Sequence, residues 1–192
     1  MEDCPKDIDG IIRRAWALLG RGCADRRHAF HTPALATVDE AGLPNVRTVV
    51  LRIADAEQRV LACHCDQRSN KVEEIAITGH ATWHFYDAGH KTQLVIATDA
   101  RVHTDDEVAA ERWAATGRGS RVCYERPYAP GTRAEAPYDE RPQSDDPEAG
   151  RANFAVIRGV ATTIDYLHLH HAGHVRCRLV WSEGWHATWL TP

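Results

Sequence analysis

The sequence predicts a mainly β (α+β) domain: a closed antiparallel barrel with helices at its periphery. Three observations lead there. Apolar residues alternate with period two through most of the chain after Thr32. The candidate strands are joined by short, turn-rich connections. Helical spacing is confined to a few short stretches. About eight strands connected in this way leave fewest exposed edges when they close.

The elements follow in chain order. Ile8, Ile11, Ile12, Ala15, Trp16 and Leu19 recur at helical spacing, with Asp7 or Asp9 as the start and Gly20 at the expected C-terminal cap. Residues 1–29 are therefore read as an N-terminal helix and linker. Thr32 to Asp39 alternates as a strand, and Glu40-Ala41-Gly42-Leu43-Pro44 is a turn. Asn45 to Ala54, dense in β-branched residues, reads as one strand, and Arg59 to Cys65 as the third of an antiparallel meander. Ser69 is placed to cap a short helix with Val72, Ile75 and Ala76 inward. Ala81 to Asp87 and Lys91 to Thr104 read as strands and Asp105 to Thr116 as a helix. Residues 117–151, rich in Pro, Gly and charge, form an irregular loop of the length seen in lids and contact loops. Asn153 to Ile164, Val175 to Ser182 and Trp185 to Leu190 close the chain as strands. Residues 1–192 make one domain, with no internal repeat.

Composition narrows the function classes. The 192 residues are 43% hydrophobic, enough for a core, and no apolar run approaches a membrane span. The first residues are acidic and polar, unlike a secretory leader. With 23 basic and 27 acidic residues (net charge −4), no nucleic-acid surface spread over the protein is expected. The six cysteines include no C-x-x-C pair, which fits free thiols in a reducing cytoplasm. No membrane partner is expected.

The densest chemical signal lies between Arg47 and Lys71. Arg47 and Arg52 bracket Thr48-Val49-Val50-Leu51. Arg68, Ser69 and Lys71 stand between a strand and a helix start. A helix start offers free N–H groups and the positive end of its dipole, Arg a planar fork of donors and Lys a point charge. Together they make an anion site of the kind that takes a phosphate. Solvated surface charge is the bland alternative. Strand parity sends Arg47 and Arg52 to opposite faces, so both reach one ligand only if it wraps the strand end or a bulge shifts the register.

The run R47-T-V-V-L-R52, then R68-S69-x-K71, then Gln93, and a final W185-x-x-x-W189-L-x-P192, resembles the pyridoxamine 5′-phosphate oxidase family of FMN-binding split barrels. The resemblance spans roughly Phe30 to Pro192 and is weakest from Gly117 to Gly150. It implies an antiparallel split β-barrel that binds FMN at the interface of a homodimer. Arg47, Arg68, Ser69 and Lys71 then fall at the phosphate and ribityl chain. Val49, Val50, Leu51 and Arg52 fall beside the isoalloxazine ring, and His64 and Cys65 form a strand-end pair against the cofactor. Gln93 reaches the flavin, and Arg178 is supplied by the second subunit. The implied chemistry is hydride transfer from a small-molecule substrate to flavin N5, with Arg52 as candidate catalytic residue.

The chain also departs from the oxidase pattern. Arg52 replaces a lysine common in true oxidases. The residues that hold the vitamer phosphate have no clean counterpart, Tyr124, Arg126 and Ser144 being nearby at the wrong spacing, and a C-terminal Arg-x-His is missing. A vitamin B6 substrate is therefore not expected. His168, His170, His171 and His174 make a haem- or other ligand-binding barrel without flavin turnover the alternative, although an exposed polar turn explains them equally, and no metal site is expected. In Cys63-His64-Cys65 the thiols share one strand face and the imidazole the other, which suits packing better than metal ligation.

Overall fold

The computed structural model describes residues 5–135, 144–171 and 173–192. Cys4, Tyr138 and Ala172 lie outside the described residues. Nine antiparallel strands form one curved sheet: β1 Ala34–Val38, β2 Pro44–Thr48, β3 Leu51–Asp55, β4 Val60–Asp66, β5 His80–Asp87, β6 Thr92–His103, β7 Phe154–His168, β8 Val175–Trp181 and β9 Trp185–Leu190. Among the described residues four α-helices lie around it: α1 Ile8–Ala24, α2 Asn70–Thr78, α3 Glu107–Ala115 and the single turn α4 Arg118–Arg121.

The strand order is β2-β1-β5-β6-β7-β4-β3, with β8 and β9 continuing from β7. The long strand β7 divides its far edge, pairing with β4 through Phe154–Val160 and with β8 through Thr163–His168. That division splits the barrel. Alternation decides which side is filled. Leu35, Trp83, Ile96, Ile164 and Leu179 lie in register across five strands, all fully buried. Helix α1 closes this core with Ile11, Ala15, Leu18 and Leu19. Burying each such side chain contributes on the order of 1.5–3 kcal/mol.

Two expectations need correction. The stretch 45–54 is two strands, broken at Val49 and Val50, so the total is nine. The expected three-strand meander is absent: β1 pairs with β2 and β3 with β4, and these hairpins sit at opposite ends of the strand order. Val49 donates to the Pro33 carbonyl at 2.9 Å as the last rung of the β1–β2 ladder, which ends there because Pro33 has no N–H to return. Two helix details also differ. Asp7 accepts from the Gly10 amide, as an N-cap should, but α1 passes Gly20 and ends at Ala24. At Gly22 the helix packs so closely on Phe30 that a Cβ would stand 2.8 Å from its carbonyl. In α2, Ile75 points inward, whereas Ala76 is exposed and Glu74 is buried in its place. The helix ends at Gly79, whose φ of 71° is the left-handed cap conformation.

Candidate functional site

The end of β4 organises the site. Leu61, Cys63 and Cys65 face the core, and burial pushes the Cys65 thiol up to about 11. Both thiols are thus packing groups, as their shared strand face implied. Ala62, His64 and Asp66 face the other way. There a second small core of Ala62, Trp113, Phe154 and Val156 seats α3 over the sheet. Cavities surround this outward row.

The first cavity, about 610 Å³, is lined by Arg47, Arg68, Asn70, Lys71 and the strap Ala129–Thr132. The N-terminus of α2 opens onto it without a side-chain cap, because the Ser69 hydroxyl donates back to the Asp66 carbonyl at 2.6 Å. Lys71 Nζ donates to Ser69 Oγ at 2.8 Å. The arginines are held harder. Arg68 donates to both Asp66 oxygens at 3.0 and 2.7 Å and to the carbonyls of Arg126, Pro127 and Tyr128, which lead into the strap. Arg47 pairs with the buried Glu74 at 3.1 Å and also donates to the hydroxyl of Thr37 and to two strand carbonyls. Ser69, expected as a phosphate contact, is buried, so it acts on the cavity through Lys71.

A second cavity of about 560 Å³ shares the strap wall and reaches Asp66, Cys123 and Arg126. A third, about 190 Å³, lies around the next outward residue of β4: Arg52, His64, Arg112, Thr116 and Ser120 line it. Arg52 reaches it through a β-bulge. Leu51 pairs with Cys63 and Ile53 with Ala62, leaving Arg52 as the extra residue. A bulge was one of the two ways in which strand parity allowed Arg47 and Arg52 to reach one ligand; the one observed lies at Arg52 itself, after the break at Val49 and Val50. His64 packs against Phe154, rings 4.9 Å apart. Burial, reinforced by Arg52 and Arg112, lowers its pKa to about 4.

Val49 and Leu51 are buried, and Val50 is half-buried at the break. Gln93 and Arg178 stand elsewhere. Arg178 pairs in register with Asp165, Val95, His84, Ala34 and finally Thr48. That is five strand spacings, about 24 Å along the sheet. Both residues project from the outer face, opposite the core. Gln93 meets His84 at 3.2 Å, and Asp165 binds Arg178 at 3.2 Å and Arg176 at 3.0 Å. One chain thus brings together Arg47, Arg52, His64, Arg68 and Lys71 but keeps Gln93 and Arg178 apart from them.

Sequence reasoning missed several residues. Arg112, Thr116 and Ser120 recur every fourth residue, a helical-face signal available in the sequence. Tyr124 instead packs against Phe154 and Trp113, and the Ser144 carbonyl accepts from Arg118. Asp66 and Glu74 gave no local signal. In the histidine segment, His168 is buried and bonds Thr92, and the His170 amide donates to His174. Among the described residues no group of three or more His, Cys, Asp or Glu side chains is arranged to hold a metal. No described helix is long and apolar enough to cross a membrane.

Comparisons with known proteins agree with this picture. Residues 14–104 match the family model of the pyridoxamine 5′-phosphate oxidase FMN-binding domain. A pyridoxine/pyridoxamine 5′-phosphate oxidase of Agrobacterium fabrum is 36% identical over 89 residues, which is 46% of this chain and 42% of that protein. The chain therefore matches under half the length of that relative. A pyridoxamine 5′-phosphate oxidase-related, FMN-binding protein of Nostoc punctiforme superposes over 100% of both chains with a TM-score of 0.78 at 22% identity. PhzG of Burkholderia lata, solved with tetrahydrophenazine-1-carboxylic acid, gives 0.70 over 99% of this chain and 95% of its own at 18% identity. At those identities the structures speak for the fold alone. FMN is the cofactor that the matched domain supports. Residues 14–104 thus match the FMN-binding domain of the pyridoxamine 5′-phosphate oxidases, and the chain as a whole has the split-barrel fold of the FMN-binding protein from Nostoc punctiforme.

Proposed function

We propose that the protein is an FMN-dependent oxidoreductase that works as a homodimer on a small anionic substrate. The observation that carries the reading is the cavity at the start of α2, where Lys71, Arg68 and the uncapped helix N-terminus converge. That donor set fits a phosphate: a mobile ammonium, a guanidinium and free backbone N–H groups, with the helix dipole favouring negative charge. Lys71 is the cation best placed to take it, since it is held by a single hydroxyl, that of Ser69, and not by a carboxylate. Arg68 would exchange its strap carbonyls for phosphate oxygens. Arg47 fixes α2 against β2 through Glu74 and lends the cavity field rather than a free fork.

When bound, FMN supplies a two-electron acceptor at N5. The chain's own residues bind and orient. Arg52 and Arg112, with Thr116 and Ser120, would hold the substrate's anionic group in the small cavity two β4 residues from Asp66. The homodimer reading rests on the outer face, where Val38, Val46, Tyr86 and Val180 are exposed on the same side of the sheet as Gln93 and Arg178. A second copy packed there brings Gln93 and Arg178 towards the partner's cleft, which one chain alone cannot do.

The test is direct. The purified protein should be yellow, or should take up FMN on titration with quenching of flavin fluorescence, and should release FMN on denaturation. A colourless protein that takes up no FMN at tens of micromolar would remove the proposal.

A further inference from the structure

A cavity of about 1030 Å³ opens beside the C-terminal half of α2, where β6 outruns β5. His80 begins β5 opposite Asp99, so residues 100–103 of β6 have a strand neighbour only in β7. Arg101 stands on this free stretch, directly opposite Arg158 of β7. Side chains opposed in this way have Cβ atoms about 5 Å apart, and like charges there repel. Nothing in the fold neutralises the pair. Along the same row the next residues after Arg158 are Ala62 and Ile53. Among the described residues neither guanidinium has a carboxylate within 4.0 Å, and the Arg101 side chain makes no hydrogen bond. Arg158 is aimed by Gln58, whose Oε1 accepts from its Nη2 at 2.6 Å. Both arginines and Gln58 line the cavity.

We propose that this cavity binds an aliphatic carboxylate, with the carboxylate between Arg101 and Arg158 and the alkyl chain along the valine wall. Charge selects the head group. One acid lines the cavity, Asp99, which turns to His80 at 3.3 Å, and His103 is held by Asp106 at 2.6 Å. Two guanidinium charges against one carboxylate leave a single positive charge, which a monoanion balances and a dianion exceeds. The planar forks of the arginines match the two oxygens of a carboxylate. Shape and surface select the body. Val60, Val72, Ile75, Val102 and Val160 form the apolar wall, and no Phe, Tyr or Trp lines it, so it offers burial for an alkyl chain and no ring for stacking. The C-terminal end of α2, at Gly79, carries the negative end of the helix dipole and keeps the charged head at the arginines. The cavity shares no lining residue with those around Lys71 and Arg52, so its ligand is additional to the cofactor and substrate of the proposed function.

Octanoate is the probe, with octanol and acetate as controls. FMN-loaded protein is titrated by calorimetry and followed by methyl NMR. Octanoate should bind saturably, one per chain, and shift the methyl resonances of Val72, Val102 and Val160. Hexanoate should bind up to about fifteenfold more weakly, roughly fourfold for each methylene lost. Octanol has the chain without the charge and acetate the charge without the chain, and each should bind at least tenfold more weakly than octanoate. Arg101→Gln and Arg158→Gln should each weaken octanoate tenfold or more, with the circular dichroism spectrum unchanged. An absence of saturable octanoate binding would overturn the inference. So would octanol binding as tightly as octanoate, or full affinity in both arginine variants. Resonance shifts confined to residues around Lys71 or Arg52 would overturn it too, by placing octanoate in another cavity. A protein that takes up no FMN would remove the proposed function and leave this titration valid, because the two cavities are separate.

Discussion

Arg47 and Glu74 form an ion pair at 3.1 Å that joins the edge strand β2 to helix α2, with the Glu74 side chain only 7% exposed. Asn45 donates to the second carboxylate oxygen at 3.0 Å, and Thr37 donates to the first. The carboxylate is thus fully used by β1 and β2. The pair holds the start of α2 in place and so positions Lys71 and the helix N-terminus.

Removing Glu74 should therefore cost stability before it costs chemistry. Glu74→Ala leaves a partly buried guanidinium unpaired, and about 3 kcal/mol of destabilisation is expected. Glu74→Gln, which keeps an acceptor for Asn45 and Thr37, should lose about half as much. Urea denaturation checks both. A Glu74→Gln variant as stable as the parent would mean that the charge of the ion pair contributes nothing.

Lys71 and Arg47 should separate in the opposite sense. Lys71→Met removes a cation that supports no packing, so FMN affinity should drop tenfold or more with the unfolding midpoint nearly unchanged. Arg47→Met should shift the midpoint and weaken FMN less. Fluorescence titration of each variant gives the affinities. Matching affinity losses would make Arg47 a direct phosphate ligand.

Acid sensitivity follows from three histidines held neutral by burial. The His64 pKa is lowered to about 4, and those of His28 and His168 are lowered too, by burial first and then by Arg21 and Arg14 respectively. Each folded-state pKa lies below the unfolded value near 6.5. Between about pH 6.5 and 4 the unfolded chain therefore binds more protons, and stability falls as pH falls. Stability should be fully present above pH 7. The His64 share is of order 3 kcal/mol at about 1.4 kcal/mol per pH unit. Denaturation midpoints from pH 7.5 to 4.5 should decline, and His64→Gln should make that decline shallower. A midpoint independent of pH in this range would contradict the burial argument.

The outer face should be the dimer contact. Val46 is 66% exposed and Val180 43%, and a charge at either would have to be buried on association. Val46→Glu with Val180→Glu should leave a folded monomer by light scattering, with FMN affinity reduced because Gln93 and Arg178 are no longer delivered. A dimer that survives both substitutions would place the contact elsewhere.

Most of the secondary structure was legible in the chain, as was the cluster of basic residues at the start of α2. Period-two alternation marks which side of each strand is buried, so β1, β4, β5, β6, β8 and β9 emerge with nearly their observed ends. Arg68, Ser69 and Lys71 announce a helix start because capping and charge act within one turn. Local pattern cannot say where a strand finds its neighbour. The break at Val49 and Val50 leaves both halves alternating, so the sequence reads as one strand. Only the packing of the two hairpins around a common core sends them to opposite ends of the sheet. For the same reason Glu74 looks like an ordinary helix-surface acid until folding brings Arg47, 27 residues away, against it. His64 likewise looks like half of a Cys-His-Cys motif until α3 docks Arg112 over it. The sequence by itself determined the elements and the basic turn before α2, because alternation, capping and charge act over a few neighbouring residues. Which charges face one another was decided by the tertiary structure, because contacts between distant residues are set by packing the whole core.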